Sequence, residues 1–255
     1  MNLLKADLFH LIKDKVFYVL AALTFLMPLA TCLMFSEMTV EAVIFQSLDT
    51  TILCSIIGIM IALFIGKDYA NNTIRNKICY GEKRFKIMGM TFVESAFICL
   101  IFVAVSIFSS FIFGSLIGEF AFTADFAAKL FCQISILVAF SLVVGAITVC
   151  TKSMKVGLVI TLLISILLSA VSQMLPMLAV TNNIAMFLCR IIYSTVSSNL
   201  MNSTAGIYIY HSYAADGVAT ATFDHLYLNS IVVAVVYAAL AIGITAIVVR
   251  KQSYK

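Results

Sequence analysis

"GKDYANNTIRNKICYGEKRFK", residues 66–86, holds eight charged side chains: Lys67, Asp68, Arg75, Lys77, Glu82, Lys83, Arg84 and Lys86. The whole chain has only 16 Lys and Arg and 12 Asp and Glu. The run is preceded by "IIGIMIALFI" and followed by "IMGMTFVESAFICLIFVAVSIF", both almost free of charge. A polar segment between two such stretches reads as a connection between two membrane helices.

The rest of the chain agrees. It has 255 residues, 63% of them hydrophobic and 11% charged, with a mean hydropathy of +1.11. Soluble domains carry about 25% charged residues. This chain has too little polar surface to cover a globule in water, and a bilayer is the solvent that fits. A span needs about 20 largely apolar residues. Six stretches qualify, roughly 16–35, 50–66, 90–116, 130–150, 156–175 and 228–249. The first lacks a small-x-small cleavage site at the right place and is expected to be retained. The prediction is an all-α integral membrane protein, one membrane domain over residues 1–255.

Basic residues set orientation, because Lys and Arg favour cytoplasmic loops. The segment before the first span, the second-to-third and fourth-to-fifth connections and the tail together hold 14 of the 16. Only Lys129 and Arg190 fall on the other side, with Glu37, Glu41, Asp49, Glu119, Asp125, Asp216 and Asp224. Both termini are therefore expected in the cytoplasm, as is the 66–86 run. No basic groove interleaved with aromatics appears, so no nucleic-acid partner is expected. The seven Cys fall mostly within spans, in no disulfide or zinc pattern.

Residues 3–15, "LLKADLFHLIKDK", have helical periodicity: Leu4, Leu8, Leu11 and Ile12 on one face, Asp7, His10, Lys13 and Asp14 on the other. This predicts an interfacial helix at 1–15, with a plain cytosolic extension of the first span as the alternative. Within 67–88, Asn71 or Asn72 is a good N-cap. Thr73 to Tyr80 would make two turns with Ile74 and Ile78 as an apolar ridge, and Gly81 would stop the helix. A short capped helix suits docking, whereas an ordinary positive loop would need the charges but not the caps. The outer segment, 176–227, is too apolar for a water-exposed loop and too broken to cross, which predicts re-entrant or interfacial pieces.

Polar residues within spans indicate which faces avoid lipid. Thr161, Ser165, Ser169 and Gln173 recur every fourth residue on the fifth span, either lining a translocation path or packing against a neighbour. Cys54, Gly58, Ala62 and Gly66 form a row of small residues on the second, suited to close helix packing. Glu94 is the one carboxylate inside a predicted span. Neutralisation by the helix N-terminus and by Lys83, Arg84 and Lys86 is expected, with ion coupling as the alternative. His211 and His225 lack ligand spacing, so no metal site is expected. The chain has no GxxxxGK[ST] phosphate loop, no HExxH and no GxSxG.

An amphipathic helix before six spans, "FIGKDYANNTIRNKICYGEKRFKI" at 64–87 and a re-entrant-like segment before the last span together resemble the ATP-binding-cassette (ABC) exporter permeases of the second type. The motif likeness rests on Asp68-Tyr69, Thr73-Ile74-Arg75-Asn76, Gly81 and Lys83-Arg84. The resemblance implies a transmembrane subunit in a bacterial plasma membrane, itself not an enzyme. Two copies of a separate ATPase would hold ATP and Mg, and this chain would need no cofactor. It implies a homodimer, or a pair with a homologous permease. The best-fitting cargo is an amphipathic peptide such as a toxin or antimicrobial peptide. By the same likeness, Asn72, Thr73, Ile74, Arg75, Lys77, Ile78, Gly81, Lys83 and Arg84 would couple to the ATPase. Ile74 and Ile78 would fill its groove, and Arg75, Lys77 and Lys83 would face its acidic groups. Thr161, Ser165, Ser169 and Gln173 would line the path. An ion-coupled transporter and a non-transporting sensor or immunity subunit are the rival readings.

Overall fold

The computed structural model describes residues 3–34, 39–48, 50–71, 73–79, 81, 84–117, 120–180, 182–203, 207–214 and 217–251. In chain order the elements are α1 (Leu3–Lys13), α2 (Lys15–Met34), α3 (Val40–Ser47), α4 (Thr50–Ala70), α5 (Thr73–Cys79), α6 (Arg84–Ile117), α7 (Phe126–Thr151), α8 (Met154–Ala179), α9 (Asn183–Ile191), α10 (Tyr193–Met201), β1 (Tyr208–Ala214), β2 (Gly217–Phe223) and α11 (Leu226–Lys251). Six helices, α2, α4, α6, α7, α8 and α11, are long and apolar enough to cross a bilayer. The chain is an all-α multi-pass membrane protein with the six expected spans. The third span starts earlier than expected, at Arg84, so basic residues read as loop form its first turn.

α4 and α7 form the centre. Cys54, Ile57, Met60 and Ile61 of α4 and Ile136, Leu137 and Phe140 of α7 are buried. By contrast, α2, α8 and α11 turn rows of apolar side chains outward, including Val19, Leu23, Leu163, Ile166, Val235 and Ile244. Monomers in water rarely leave so much apolar surface bare. Lipid, or another membrane helix, is the natural cover.

The small residues of α4 bring α8 close. Cys54 and Ala62 are fully buried. A Cβ added to Gly58 would collide with Cγ2 of Thr161, and one added to Gly66 would lie 2.6 Å from Met154. Gly145 of α7 plays the same part towards α6, where a Cβ would come 2.6 Å from Ser95 Oγ. Without a hydrophobic drive between helices in lipid, such close contact is a main source of association.

Two elements were not expected. The connection at 39–48, read as an outer loop, contains α3. Thr39 caps it through Ala42 N–H at 3.3 Å, and Val40, Val43, Ile44 and Phe45 are buried. Ser47 then bonds Ser110 of α6 at 2.7 Å. The second is the antiparallel pair β1–β2, with Tyr208 opposite Phe223. Its signal was two runs rich in strand-forming residues, Tyr208–Ala214 and Gly217–Phe223, only two residues apart. In the remainder of the outer segment, α9 keeps Ile184 and Phe187 exposed, whereas α10 buries Ser194, Thr195, Ser197 and Asn199. Ser194 Oγ reaches the Leu168 carbonyl of α8 at 2.9 Å. That atom lies about three turns from the end of α8, so α10 penetrates the bundle.

The opposite end is the basic one. Ile74 and Ile78 lie beside Val149, near the end of α7, and Val249, near the end of α11. Lys77 also reaches α1. The segments carrying most of the basic residues are thus gathered at one end.

Gly58→Ala should destabilise the protein by about 1–3 kcal/mol, the usual cost of overpacking. Thr161→Ser, which deletes the colliding methyl, should recover most of that loss in the double variant. Thermal unfolding of the four proteins in one detergent checks this.

Candidate functional site

The basic end is built on a seven-residue helix strung between two spans. α4 runs to Ala70, and Asn71 closes it by donating its N–H to the Lys67 carbonyl at 2.9 Å. Asn71 is therefore a terminator of α4, not the N-cap of α5. Asn72, Lys83, Glu82 and Tyr80 lie outside the described residues. Gly81 ends α5 as expected, with φ of 88° and its N–H on the Ile78 carbonyl at 3.0 Å. That φ is open to glycine and strained for most side chains.

α5 uses its apolar side at home. Ile74 is only 4% exposed. Ile78 is half-buried, in a shallow recess with Tyr69, Ile87, Met88 and Thr91. Burying one such side chain is worth about 1.5–3 kcal/mol. The ridge expected to fill a partner's groove thus seals the end of this chain's own bundle. Arg75, Asn76 and Cys79 are the exposed residues of α5, and Arg84 is exposed just beyond it. Thr73 is half-buried.

Lys77 also turns inward. Its Nζ lies 3.1 and 3.0 Å from the two carboxylate oxygens of Asp7 and 3.2 Å from Asp68 Oδ2. One ammonium therefore ties α1, α4 and α5 together. The expectation that Lys77 faces an acidic partner is corrected: its acidic partners belong to this chain. Burial alone would lower its pKa, but Asp68 and Asp7 outweigh that and leave it above the ordinary lysine value. A second tie runs from Lys67 to Asp14. Asp14 also accepts Val16 N–H at 3.1 Å, which caps the start of α2.

These ties change how α1 lies. Asp7, expected on the water-facing side, is 6% exposed, and Leu11 beside it is buried. Ile12, expected inward, is 53% exposed, as is Phe9 at 56%. Relative to the sequence expectation, α1 is rolled so that its one buried carboxylate meets Lys77 and two apolar side chains face outward. Glu94 is corrected too. Charged groups of other helices, Asp7, Lys77 and Asp68, act on it, and the sequence did not place them there; Lys83 lies outside the described residues.

The fifth-span stripe divides. Thr161 and Ser165 are buried, and their hydroxyls donate to the carbonyls of Gly157 and Thr161 at 2.8 and 3.0 Å. Thr161 packs on Gly58. Ser169 is half-buried and Gln173 exposed, so only this outer half has free surface. At the other end of the molecule lies a cavity of about 410 Å³ lined by Thr39, Glu41, Phe45, Gln46, Phe122 and Asn202 among others. Glu41 is held there by the Thr123 hydroxyl at 2.8 Å, with Lys129 at 3.9 Å.

Gln133 of α7 was missed. It is fully buried, donates to the Leu48 carbonyl at 3.0 Å and exchanges hydrogen bonds with Ser197 of α10 at 2.8 and 2.9 Å. A glutamine within a predicted span is the signal that would have found it. No protein-family model and no curated protein matches the chain.

Replacing Lys77 with Met should cost about 3 kcal/mol or more, because it leaves Asp7 and Asp68 without their cation. Since the pKa of Lys77 is raised on folding, its contribution is fully present below the ordinary value of 10.5 and is lost as pH climbs past the raised one. Unfolding midpoints measured through the alkaline range should fall in the wild type, and Lys77→Met should lack that step.

Proposed function

We propose that this chain is the transmembrane permease subunit of an ATP-driven exporter and that α5 receives force from a separate ATPase. The observation that carries this is the anchoring of α5. A flexible loop would absorb a push from a partner. α5 is instead fixed to α1 and α4 through Lys77 and seated on α6, α7 and α11 through Ile74 and Ile78. A load on its outer surface passes directly into the spans.

The contact surface is Arg75, Asn76, Cys79 and Arg84, with Phe85 beside them. Two basic groups there suit an acidic rim on the motor, and an exposed aromatic suits a pocket. ATP and Mg belong to that motor. The basic end then faces the cytoplasm of a bacterial cell, and both termini lie with it. Two copies of the chain, or this chain and a homologue, enclose the path, with Ser169 and Gln173 as the part of the stripe free to line it. The cargo is an amphipathic peptide. The outer cavity, with Phe45 and Phe122 beside Thr39 and Gln46, offers the mixed lining such a molecule needs.

Arg75→Glu combined with Arg84→Glu should leave the melting temperature of the chain unchanged. It should abolish co-purification with the partner phosphate-loop ATPase when the two are co-expressed. Ile74→Asp should instead destabilise the chain itself, by about 3 kcal/mol or more, since it buries an unpaired charge. Retained binding and peptide-stimulated ATP hydrolysis in the double arginine variant would refute the docking face.

A further inference from the structure

Three carboxylates and one ammonium meet where α1, α4, α5 and α6 converge. Asp7 and Asp68 take up the ammonium of Lys77. Glu94 is left over. It is 9% exposed, its Oε1 has no hydrogen-bonding partner among the described residues, and its carboxyl neighbours that of Asp7. Both carboxyl residues border a cavity of about 50 Å³, otherwise walled by Leu8, Leu11, Phe64, Val93, Phe97 and Ile98.

We propose that Glu94 holds a proton at this cavity and donates it in a hydrogen bond to Asp7, and that the proton keeps α1 seated on the bundle. Two adjacent carboxylates in apolar surroundings do not both ionise, because each disfavours the charge of the other. Lys77 cannot neutralise the second, being engaged by Asp7 and Asp68. His10 on α1 also acts on Asp68, and Lys67 is paired with Asp14. A proton satisfies the arrangement: Glu94 donates it to Asp7, which still accepts from Lys77. A metal ion suits it poorly. Hard cations take six or more oxygen ligands, the wall here is hydrocarbon, and no three His, Cys, Asp or Glu among the described residues are placed to hold one. The cavity is large enough for one water, ~10–15 Å³, but its hydrocarbon wall offers that water few polar partners, so the proton is held rather than freely exchanged. On release, the O–H bond of the acid breaks, water takes the proton, and two carboxylates face each other across the α1–α6 contact. The folded protein then binds one more proton than the unfolded one at neutral pH, so its stability falls as pH rises through the release of the Glu94 proton.

The test uses the full chain alone in lipid nanodiscs, without any ATPase. Infrared difference spectra over a pH titration should show the C=O band of a protonated carboxylic acid at pH 7, shifted in D2O and fading at higher pH. Glu94→Gln should remove it. Asp7→Asn, which deletes the like charge, should move its midpoint to lower pH by about one unit, tenfold in proton concentration. Amide hydrogen exchange, corrected for intrinsic rate, should show α1 losing protection over the same range in wild type but not in Glu94→Gln. Absence of the band at pH 7, its survival in Glu94→Gln, or an unmoved midpoint in Asp7→Asn would overturn the assignment. If either variant fails to give a monodisperse particle, the wild-type measurements still decide. Protection of α1 that does not change as the band fades would overturn the seating role.

Discussion

The ammonium of Lys77 is the point on which the basic end of this protein depends. It joins residues 70 positions apart in sequence, Asp7 and Lys77, and adds Asp68 from a third helix. Buried ion pairs add less to stability than their Coulomb energy suggests, because each charge must leave water. Their effect here is geometric. A contact between apolar faces tolerates rotation and sliding, whereas three oxygens around one nitrogen fix both the roll of α1 and the tilt of α5. Replacement by hydrocarbon could match the stability and would lose the register.

The other end follows a different rule. Among the described residues it has one charged pair, Glu41 with Lys129, and is otherwise joined by neutral hydrogen bonds: Ser47 to Ser110, Ser194 to Leu168, Gln133 to Ser197. Each such bond inside a bundle contributes modestly, but each also removes a polar group from contact with lipid. The two ends thus differ in what would loosen them. A change in charge state acts on the basic end, and a change in helix spacing acts on the other.

The six spans could be read from the sequence because an apolar run of some 20 residues has few other uses. The Gly81 stop was legible for a similar reason, since the conformation it adopts is local. So was the small-residue row of α4, whose partner had to be another helix. What was not legible depended on residues distant in the chain. Helical periodicity alone put Asp7 on the wet side of α1, and nothing near it announces Lys77. The ridge of Ile74 and Ile78 was visible as a ridge, but one apolar ridge fits a partner's groove or its own bundle equally well. α3 was hidden by its length, eight residues with a glutamate among them. The hairpin was hidden by tyrosines that looked interfacial.

The burial of α10 has a bearing on how the molecule is made. Ser194, Thr195 and Ser197 find their bonds on α8, α9 and α7, all synthesised earlier. A nascent chain halted before residue 193 would leave Gln133 of α7 without Ser197, and a bilayer offers no water in its place. This part of the bundle therefore closes in stages: the helices laid down first wait, with a polar gap between them, for a short segment that follows five of the six spans.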